Sequence, residues 1–320
     1  MPRGASVTAE VVCLLRALEQ GRAPSERIID DPLAARMLGP AWAWAASPPL
    51  PQLLAALDSL AGPTRGLHPG PTWPEAWALP LAPLQMLHYV AARHRFIDDA
   101  LLAALAAGAT EVVLLGAGLD TRAWRLAPAL AGRPVWELDF PATQALKRAR
   151  LAQGRPPLDP AAARFVPVDF VREDFGERMV AAGFPVGAPT VWIWEGVSMY
   201  LDRAAVEATL ATIHRLGGPG STLVADFWAE PDGHPLWRLA HRLGARTFGA
   251  IGEPLRFQLP AGEAPPLLAA HGFTLRDLAQ GSTLAARYAM RRRPVFAPLY
   301  VVSATAAPRH KPVGVEGATG

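Results

Sequence analysis

The feature that most constrains this fold is a continuous apolar run at residues 112–115 that ends in Gly116-Ala117-Gly118. Such a run is typical of a strand that is buried on both faces, as the strands of parallel sheets are. The pattern recurs along the chain and is each time followed by helical periodicity. Strands are predicted over 134–140, 164–170, 190–194 and 221–228, and helices over 141–153, 172–182 and 202–216. This alternation predicts βαβ units, and hence an α/β fold with a doubly wound, mostly parallel sheet.

The remainder of the chain is arranged around this alternation. One helix is predicted over 8–20, with Thr8 as its N-cap, and a short helix is predicted after Pro32. A long helix is predicted over 84–107, and Gly108 is its natural stop. We expect a helical segment and candidate lid at 1–83, an α/β domain at 84–307 and a flexible tail at 308–320. The α/β domain is expected to contain an insertion at 229–266 and late strands at 273–278 and 299–305. The helical segment at 1–83 contains Trp42, Trp44, Trp73 and Trp77. These tryptophans either form part of the lid or only pack within the protein.

Charge and cysteine content exclude several classes of protein. The net charge is only +3 and no basic run of five or more residues occurs, so a nucleic-acid partner is not expected. Cys13 is the single cysteine, which excludes a disulfide framework and indicates a reducing compartment, so we expect a cytoplasmic protein. The N-terminus resembles an amphipathic helix more than a signal peptide, and no apolar run of about 18 residues occurs, so no membrane association is expected.

Glycines and carboxylates follow the predicted strands at the point where each one ends. Gly116 and Gly118 follow the first strand, and Asp139, Asp169 and Glu195 end the next three. In an open parallel sheet, ligands bind beyond these carboxyl ends. Glycine lets the backbone approach a ligand closely, and carboxylates accept hydrogen bonds from hydroxyl and amine groups. The strand ends therefore predict a site for a nucleoside cofactor.

Each of these positions suits one part of such a cofactor. Asp139 is placed to accept from two ribose hydroxyls, Asp169 from an exocyclic amine such as that of adenine, and Glu195 from an ammonium or a neighbouring cation. The amide of Phe170 could donate to a ring nitrogen. Thr121 stands where the dinucleotide fingerprint has its third glycine, which disfavours NAD.

The acidic strand ends favour a cationic cofactor that carries no phosphate. S-adenosylmethionine combines an adenosine, an ammonium and a sulfonium, and its carboxylate needs one cation, which Arg93 or Arg95 could supply.

Six motifs then follow one another between Thr8 and Leu201: Thr8-Ala-Glu with Arg16-Ala-Leu-Glu19, Asp30-Asp-Pro-Leu-Ala34, Arg93-His-Arg-Phe-Ile-Asp-Asp99, Leu115-Gly-Ala-Gly-Leu-Asp-Thr-Arg122, Glu137-Leu-Asp-Phe140 and Glu195-Gly-Val-Ser-Met-Tyr-Leu201. In order and content they resemble the leucine carboxyl methyltransferase type of S-adenosylmethionine-dependent methyltransferase. The nearest branch is the bacterial one, which includes O-methyltransferases associated with polyketide pathways. The resemblance implies a class I methyltransferase-like fold and S-adenosylmethionine as the cofactor.

Carried over position by position, the resemblance also implies roles for single residues. It implies six cofactor-binding residues: Arg93 at the methionine carboxylate, Gly116 beside the methionyl part, Asp139 at the ribose, Asp169 and Phe170 around the adenine, and Glu195 near the ammonium. By resemblance, Tyr200 is a candidate for the acceptor pocket, although such an aromatic is also typical of a core. Arg122 either helps to bind an acidic acceptor or has a structural role at a helix start.

The predicted function is O-methylation of a small carboxylic or phenolic acceptor. A carboxylate needs no general base, whereas a phenol usually needs one, and the sequence offers no convincing base. His88 and His94 do not share a helix face, so no metal site is predicted. The alternatives are a non-catalytic nucleoside-cofactor-binding protein and an NAD-binding oxidoreductase; an RNA methyltransferase is disfavoured by the absence of a basic run. The oligomeric state stays open.

Overall fold

The structure, a computed structural model, describes residues 5–60, 82–154, 156–229, 252–290 and 295–307, together with Arg246, Gly249 and Arg293. Its first part is helical: α1 (Val7–Glu19), α2 (Pro40–Ala45), α3 (Leu50–Leu60) and α4 (Ala82–Ala106), with short 3-10 turns at Pro24–Glu26 and Ala34–Met37. Ser6, not Thr8, caps α1, since its hydroxyl accepts from the amide of Ala9. The turn at Ala34–Met37 takes the place of the short helix that was predicted after Pro32.

Seven strands form one sheet: β1 (Glu111–Leu115), β2 (Val135–Asp139), β3 (Arg164–Pro167), β4 (Thr190–Trp194), β5 (Thr222–Trp228), β6 (Phe273–Gln280) and β7 (Leu299–Ala306). Their order is β3-β2-β1-β4-β5-β7-β6. The first five strands run parallel, and β7 is antiparallel to both of its neighbours. The doubly wound, mostly parallel sheet predicted from the alternation is therefore confirmed.

Helices connect the strands: α5 (Arg122–Arg125), α6 (Ala127–Leu130), α7 (Pro141–Gln153), α8 (Phe175–Ala181), α9 (Arg203–Leu216), α10 (Ala264–Ala270) and α11 (Gly281–Arg287). The third strand is shorter than predicted because the chain turns at Asp169, whose carboxylate accepts from the amide of Val171. The following helix therefore begins only at Phe175, capped by Asp174. Helix α11 was not predicted from the sequence.

The apolar run of β1 supplies both faces of the sheet. Val112 and Leu114 belong to the core beneath α4, whereas Val113 and Leu115 face the opposite core with α8 and α9. All four side chains are buried, which is why this strand lacks the polar alternation of a half-exposed one.

The N-terminal helices pack onto the α/β part. Leu18 of α1 forms a small apolar cluster with Leu84 and Leu87 of α4. Trp42 packs at the edge of another cluster, whereas Trp44 is 81% exposed. Several predicted features lie outside the described residues: Trp73, Trp77, the tail at 308–320 and much of the insertion at 229–266. Within the described chain, no helix combines the length and the apolar content needed to cross a bilayer.

Candidate active site

A cavity of about 500 Å³ lies at the carboxyl ends of the parallel strands, beneath α1. Its wall contains all six predicted cofactor residues: Arg93, Gly116, Asp139, Asp169, Phe170 and Glu195. Tyr200 also lines the cavity, whereas Arg122 is not among the described residues of its wall. The fold thus brings together side chains that are far apart in sequence, because parallel strands end at one edge of the sheet.

The turn after β1 requires glycine at Gly116 and Gly118. Both have positive φ, +70° and +49°, a conformation that L side chains rarely adopt. A Cβ at Gly116 would also collide with the Cγ2 atom of Val197. A Cβ at Gly118 would lie 3.2 Å from that of Ala9, so α1 covers this turn closely.

The carboxylate of Asp139 is held at the end of β2 by backbone amides. It accepts from the amide of Phe140 at 2.6 Å and from that of Gly118. Burial raises the pKa of Asp139 to about 6, although the two amide hydrogen bonds act in the opposite direction. The group is therefore ionised at neutral pH and lines the cavity with its acceptor oxygens.

Asp169 and Phe170 form the turn that follows β3. One carboxylate oxygen of Asp169 accepts from the amide of Val171 at 3.0 Å, which fixes the turn. The ring of Phe170 packs 5.8 Å from that of Phe175 at the start of α8. The side chain of Phe170 therefore packs at the edge of the core, and the residue also lines the cavity.

Arg93 of α4 lines the cavity and pairs there with two carboxylates. Its Nη2 lies 2.8 Å from Glu195 and its Nη1 lies 2.6 Å from Asp226. Burial alone would lower the pKa of Arg93, but Glu195 and Asp226 raise it, so the guanidinium stays charged. Asp226, which is fully buried in β5, also accepts from the amide of Gly196 at 2.7 Å. Asp226 was not predicted from the sequence, although a carboxylate inside an otherwise apolar strand is a readable signal.

Arg122 belongs to a buried ion network behind this wall. It contacts Asp98 through Nε at 2.8 Å, and through Nη1 it contacts Asp120 and, at 2.9 Å, Glu195. Burial would raise the pKa of Glu195, but Arg93 and Arg122 lower it. Since α5 begins at Arg122, these contacts favour its structural role over a direct role at the acceptor.

Three potential metal ligands also meet in this network. Atoms of His94, Asp120 and Glu195 all lie within 4.8 Å of one another. Arg122 pairs with both carboxylates, and burial together with Arg122 lowers the pKa of His94 well below its ordinary value. The positive charge that a metal ion would supply is thus provided by arginine.

A second polar group of the cavity wall centres on Glu253. The carboxylate of Glu253 accepts from the Ser6 hydroxyl at 2.7 Å and from the Thr8 hydroxyl. Tyr200 hydrogen-bonds Thr8, and burial raises the pKa of Tyr200 well above its ordinary value, so its phenol stays neutral. Glu253 was missed because it lies in a stretch without strand or helix periodicity.

Comparisons with known proteins show which family this chain is similar to. The model of the family described as leucine carboxyl methyltransferase matches residues 9–214. A Mycolicibacterium gilvum protein, named provisionally as an S-adenosyl-L-methionine-dependent methyltransferase, is 44% identical over 143 residues, which are 44% of this chain and 45% of the relative. A Streptomyces coelicolor protein with the same provisional name is 35% identical over 226 residues, or 69% of each chain.

The chain thus spans less than half the length of the first of these relatives and about two thirds of the second. Among solved structures, a DUF574 family protein from Streptomyces avermitilis has a TM-score of 0.52 at 15% identity. The alignment covers 91% of this chain and all of that one, so the two share a fold.

Proposed function

Because the chain belongs to the leucine carboxyl methyltransferase family, whose cofactor is S-adenosylmethionine, we propose that it methylates an oxygen atom of a small carboxylic or phenolic acceptor. The observation that carries the proposal is the meeting of all six predicted cofactor residues in one cavity. Its volume of about 500 Å³ lies within the usual range for small-molecule sites.

The charge of the cavity wall supports a cationic ligand. Its described lining contains five carboxylates and two arginines: Asp120, Asp139, Asp169, Glu195, Glu253, Arg16 and Arg93. No lysine is among these lining residues, whereas a phosphorylated cofactor is usually held by basic groups. S-adenosylmethionine carries a sulfonium and an ammonium, so its charge complements this wall.

The residues present fit the parts of that cofactor. Arg93 is suited to its carboxylate and Glu195 to its ammonium, while Asp139 offers acceptor oxygens to the ribose. Because Gly116 has no Cβ, the turn after β1 packs closely against Val197 and can present its backbone to the cofactor. Asp169 and Phe170 would frame the adenine. When bound, the cofactor supplies a methyl group already activated by the sulfonium, so the protein contributes mainly approach, orientation and exclusion of water.

The covering helix α1 supports the exclusion of water. Val11, Val12 and Leu15 turn apolar side chains to the cavity. Arg16 fixes the helix, since it pairs with Asp31 at 2.7 Å and donates to the carbonyl of Leu119 at 2.6 Å. We therefore propose that this part of the 1–83 segment is a roof of the site rather than a freely moving lid.

The acceptor would lie against an apolar part of the same wall: Met86, Val90, Met199, Trp228 and Leu299. A small aromatic or aliphatic compound suits such a surface better than a nucleic acid does. We propose that the partner is a small molecule, with neither nucleic acid nor membrane involved.

Two measurements test the proposal. Calorimetry should detect binding of S-adenosylhomocysteine and no comparable binding of NAD; binding of NAD alone would contradict it. Radiolabelled S-adenosylmethionine should then transfer label to members of a panel of carboxylic acids and phenols. Strong cofactor binding without transfer to any member would favour a non-catalytic binding protein.

A further inference from the structure

Glu253 is a buried carboxylate that the cofactor assignments leave unused. Its side chain is 6% exposed and lines the cavity beside Tyr200. The following backbone holds it there, because the amides of Arg256 and Phe257 donate to the carbonyl of Met199 at 2.7 and 3.2 Å. The position of this carboxylate is therefore set by the same turn that presents Tyr200.

The charge of Glu253 has no cationic counterpart among the described ion pairs. Within the described part of the chain, its hydrogen-bond donors are the hydroxyls of Ser6 and Thr8. Burying a carboxylate without a cation is costly, and each further donor hydrogen bond reduces that cost. A ligand that brings a hydroxyl to this carboxylate is therefore stabilised, whereas a ligand carboxylate would meet a like charge.

The other ionisable groups of the wall are less suited to accept a proton from an acceptor. Asp120 and Glu195 are paired with arginines, and the pKa of His94 is lowered well below its ordinary value by burial and by Arg122. Asp139 ends β2 and Asp169 follows β3, where the nucleoside would lie. Tyr200 is a neutral phenol, which can donate a hydrogen bond but is a poor base.

We propose that Glu253 is the general base of the methyl transfer and that the acceptor is a phenol or an alcohol rather than a carboxylic acid. The inference rests on the proposed function and narrows its acceptor class. As the acceptor oxygen forms its bond to the methyl carbon, its O–H proton passes to a Glu253 oxygen. The carbon–sulfur bond breaks and its electron pair stays on sulfur, which leaves a neutral thioether.

A purely structural role for Glu253 makes a different prediction. Ser6 caps α1, so Glu253 also ties the start of this helix to the cavity wall. If that were its only role, its loss would slow the reaction of every acceptor by the same factor. A base, in contrast, matters only for an acceptor that still carries its proton.

The test compares Glu253→Gln with the wild type on phenols of graded acidity at one pH. For phenol itself, which is protonated at pH 8, kcat/KM should fall by about 10²- to 10⁴-fold. For pentafluorophenol, which is ionised at that pH and meets the like charge of Glu253 in the wild type, kcat/KM should stay at or above the wild-type value. Calorimetry with S-adenosylhomocysteine should give equal affinities for the two proteins.

Two further variants serve as controls. Glu263→Gln makes the same change at an exposed residue outside the cavity, and it should leave both reactions unchanged. Thr8→Val removes one tie to α1 but keeps the carboxylate, so it should slow both phenols by one common factor.

Each other outcome overturns the inference in a recognisable way. An equal loss for both phenols, or no loss, would show that Glu253 is not a base. Loss of S-adenosylhomocysteine affinity in Glu253→Gln would place Glu253 at the cofactor. Methylation of carboxylic acids alone by the wild type would overturn the acceptor class while leaving methyl transfer intact. Methylation of no panel member would instead count against the proposed function itself.

Discussion

Arg93 and Asp226 form a buried ion pair, with 2.6 Å between Nη1 and the carboxylate oxygen, that joins α4 to β5. The same arginine contacts Glu195 at the end of β4, so one guanidinium connects three elements at the edge of the cavity. Because these charges are shielded from water and mutually paired, the cation proposed for the cofactor carboxylate is held in place before any ligand arrives.

Replacing Arg93 by Lys should weaken binding of S-adenosylhomocysteine by at least about tenfold, since an ammonium cannot keep the two-pronged contacts of a guanidinium. Binding of 5′-methylthioadenosine, which lacks the amino-acid part, should change little. Arg95→Lys is the matched control, because Arg95 is an exposed neighbour on α4 that pairs with Asp99. Calorimetry with both ligands measures the effect. Equal losses for the two ligands would show that Arg93 does not contact the amino-acid part.

Asp139→Asn should reduce cofactor affinity at neutral pH by at least about tenfold through loss of a charge-assisted acceptor. In the wild type, affinity should fall as the pH drops below about 6, where Asp139 takes up a proton, and the variant should lack this dependence. Calorimetry between about pH 5 and 8 measures both.

The same substitution has two opposite effects on the ligand-free protein. Folding raises the pKa of Asp139, so its carboxylate costs stability as the pH rises through about 6, and a neutral Asn avoids that cost. Asn keeps only one acceptor oxygen, however, so one of the amides of Gly118 and Phe140 loses its partner. The Tm of the wild type relative to that of the variant should therefore rise as the pH falls from 7 to 5. A Tm difference that does not change over this range would contradict the raised pKa of Asp139.

Arg122→Met should lower the free energy of unfolding by about 3–5 kcal/mol, because it leaves buried carboxylates without their cation. Arg203→Ala, which breaks an exposed pair with Glu207, should cost no more than about 1 kcal/mol. Urea denaturation distinguishes the two. A stable but inactive Arg122→Met protein would instead support a direct role of Arg122 at the acceptor.

Gly116→Ala should abolish cofactor binding and cost more than about 1 kcal/mol of stability, since both its φ of +70° and the approach of Val197 oppose a Cβ. Gly132→Ala is the matched control, because Gly132 also has a positive φ, +79°, but nothing lies within 4 Å of the added atom. It should lose stability alone. Thermal melts and calorimetry measure the two effects. Normal binding by Gly116→Ala would show that the turn after β1 does not need glycine at this position to bind the cofactor.

Chelation should leave methyl transfer unchanged, and added magnesium should have no effect. Arginines already pair with the carboxylates of the cluster formed by His94, Asp120 and Glu195. Label transfer to a phenol, measured with and without a chelator, tests this. Activity lost on chelation and restored by magnesium would identify that cluster as a metal site after all.

Elements that are marked by short-range sequence signals were predicted correctly from the sequence alone. The helix at Pro141–Gln153 was predicted at its observed bounds, because a proline at its first turn and apolar periodicity mark it. The strand at Thr190–Trp194 was predicted equally well from its apolar run. The turn at Asp169 was not predicted, because it depends on a side chain that accepts a hydrogen bond from the nearby backbone rather than on periodicity.

The sequence by itself determined which residues end the parallel strands, and therefore that Asp139, Asp169 and Glu195 would meet at one edge. Only the tertiary structure decided what those residues contact. The pairing of Arg93 with Asp226, the withdrawal of Arg122 into a buried network and the approach of Glu253 to Tyr200 all join distant parts of the chain. Periodicity reports the burial of a residue along its own element, whereas a contact between elements depends on how the whole chain packs.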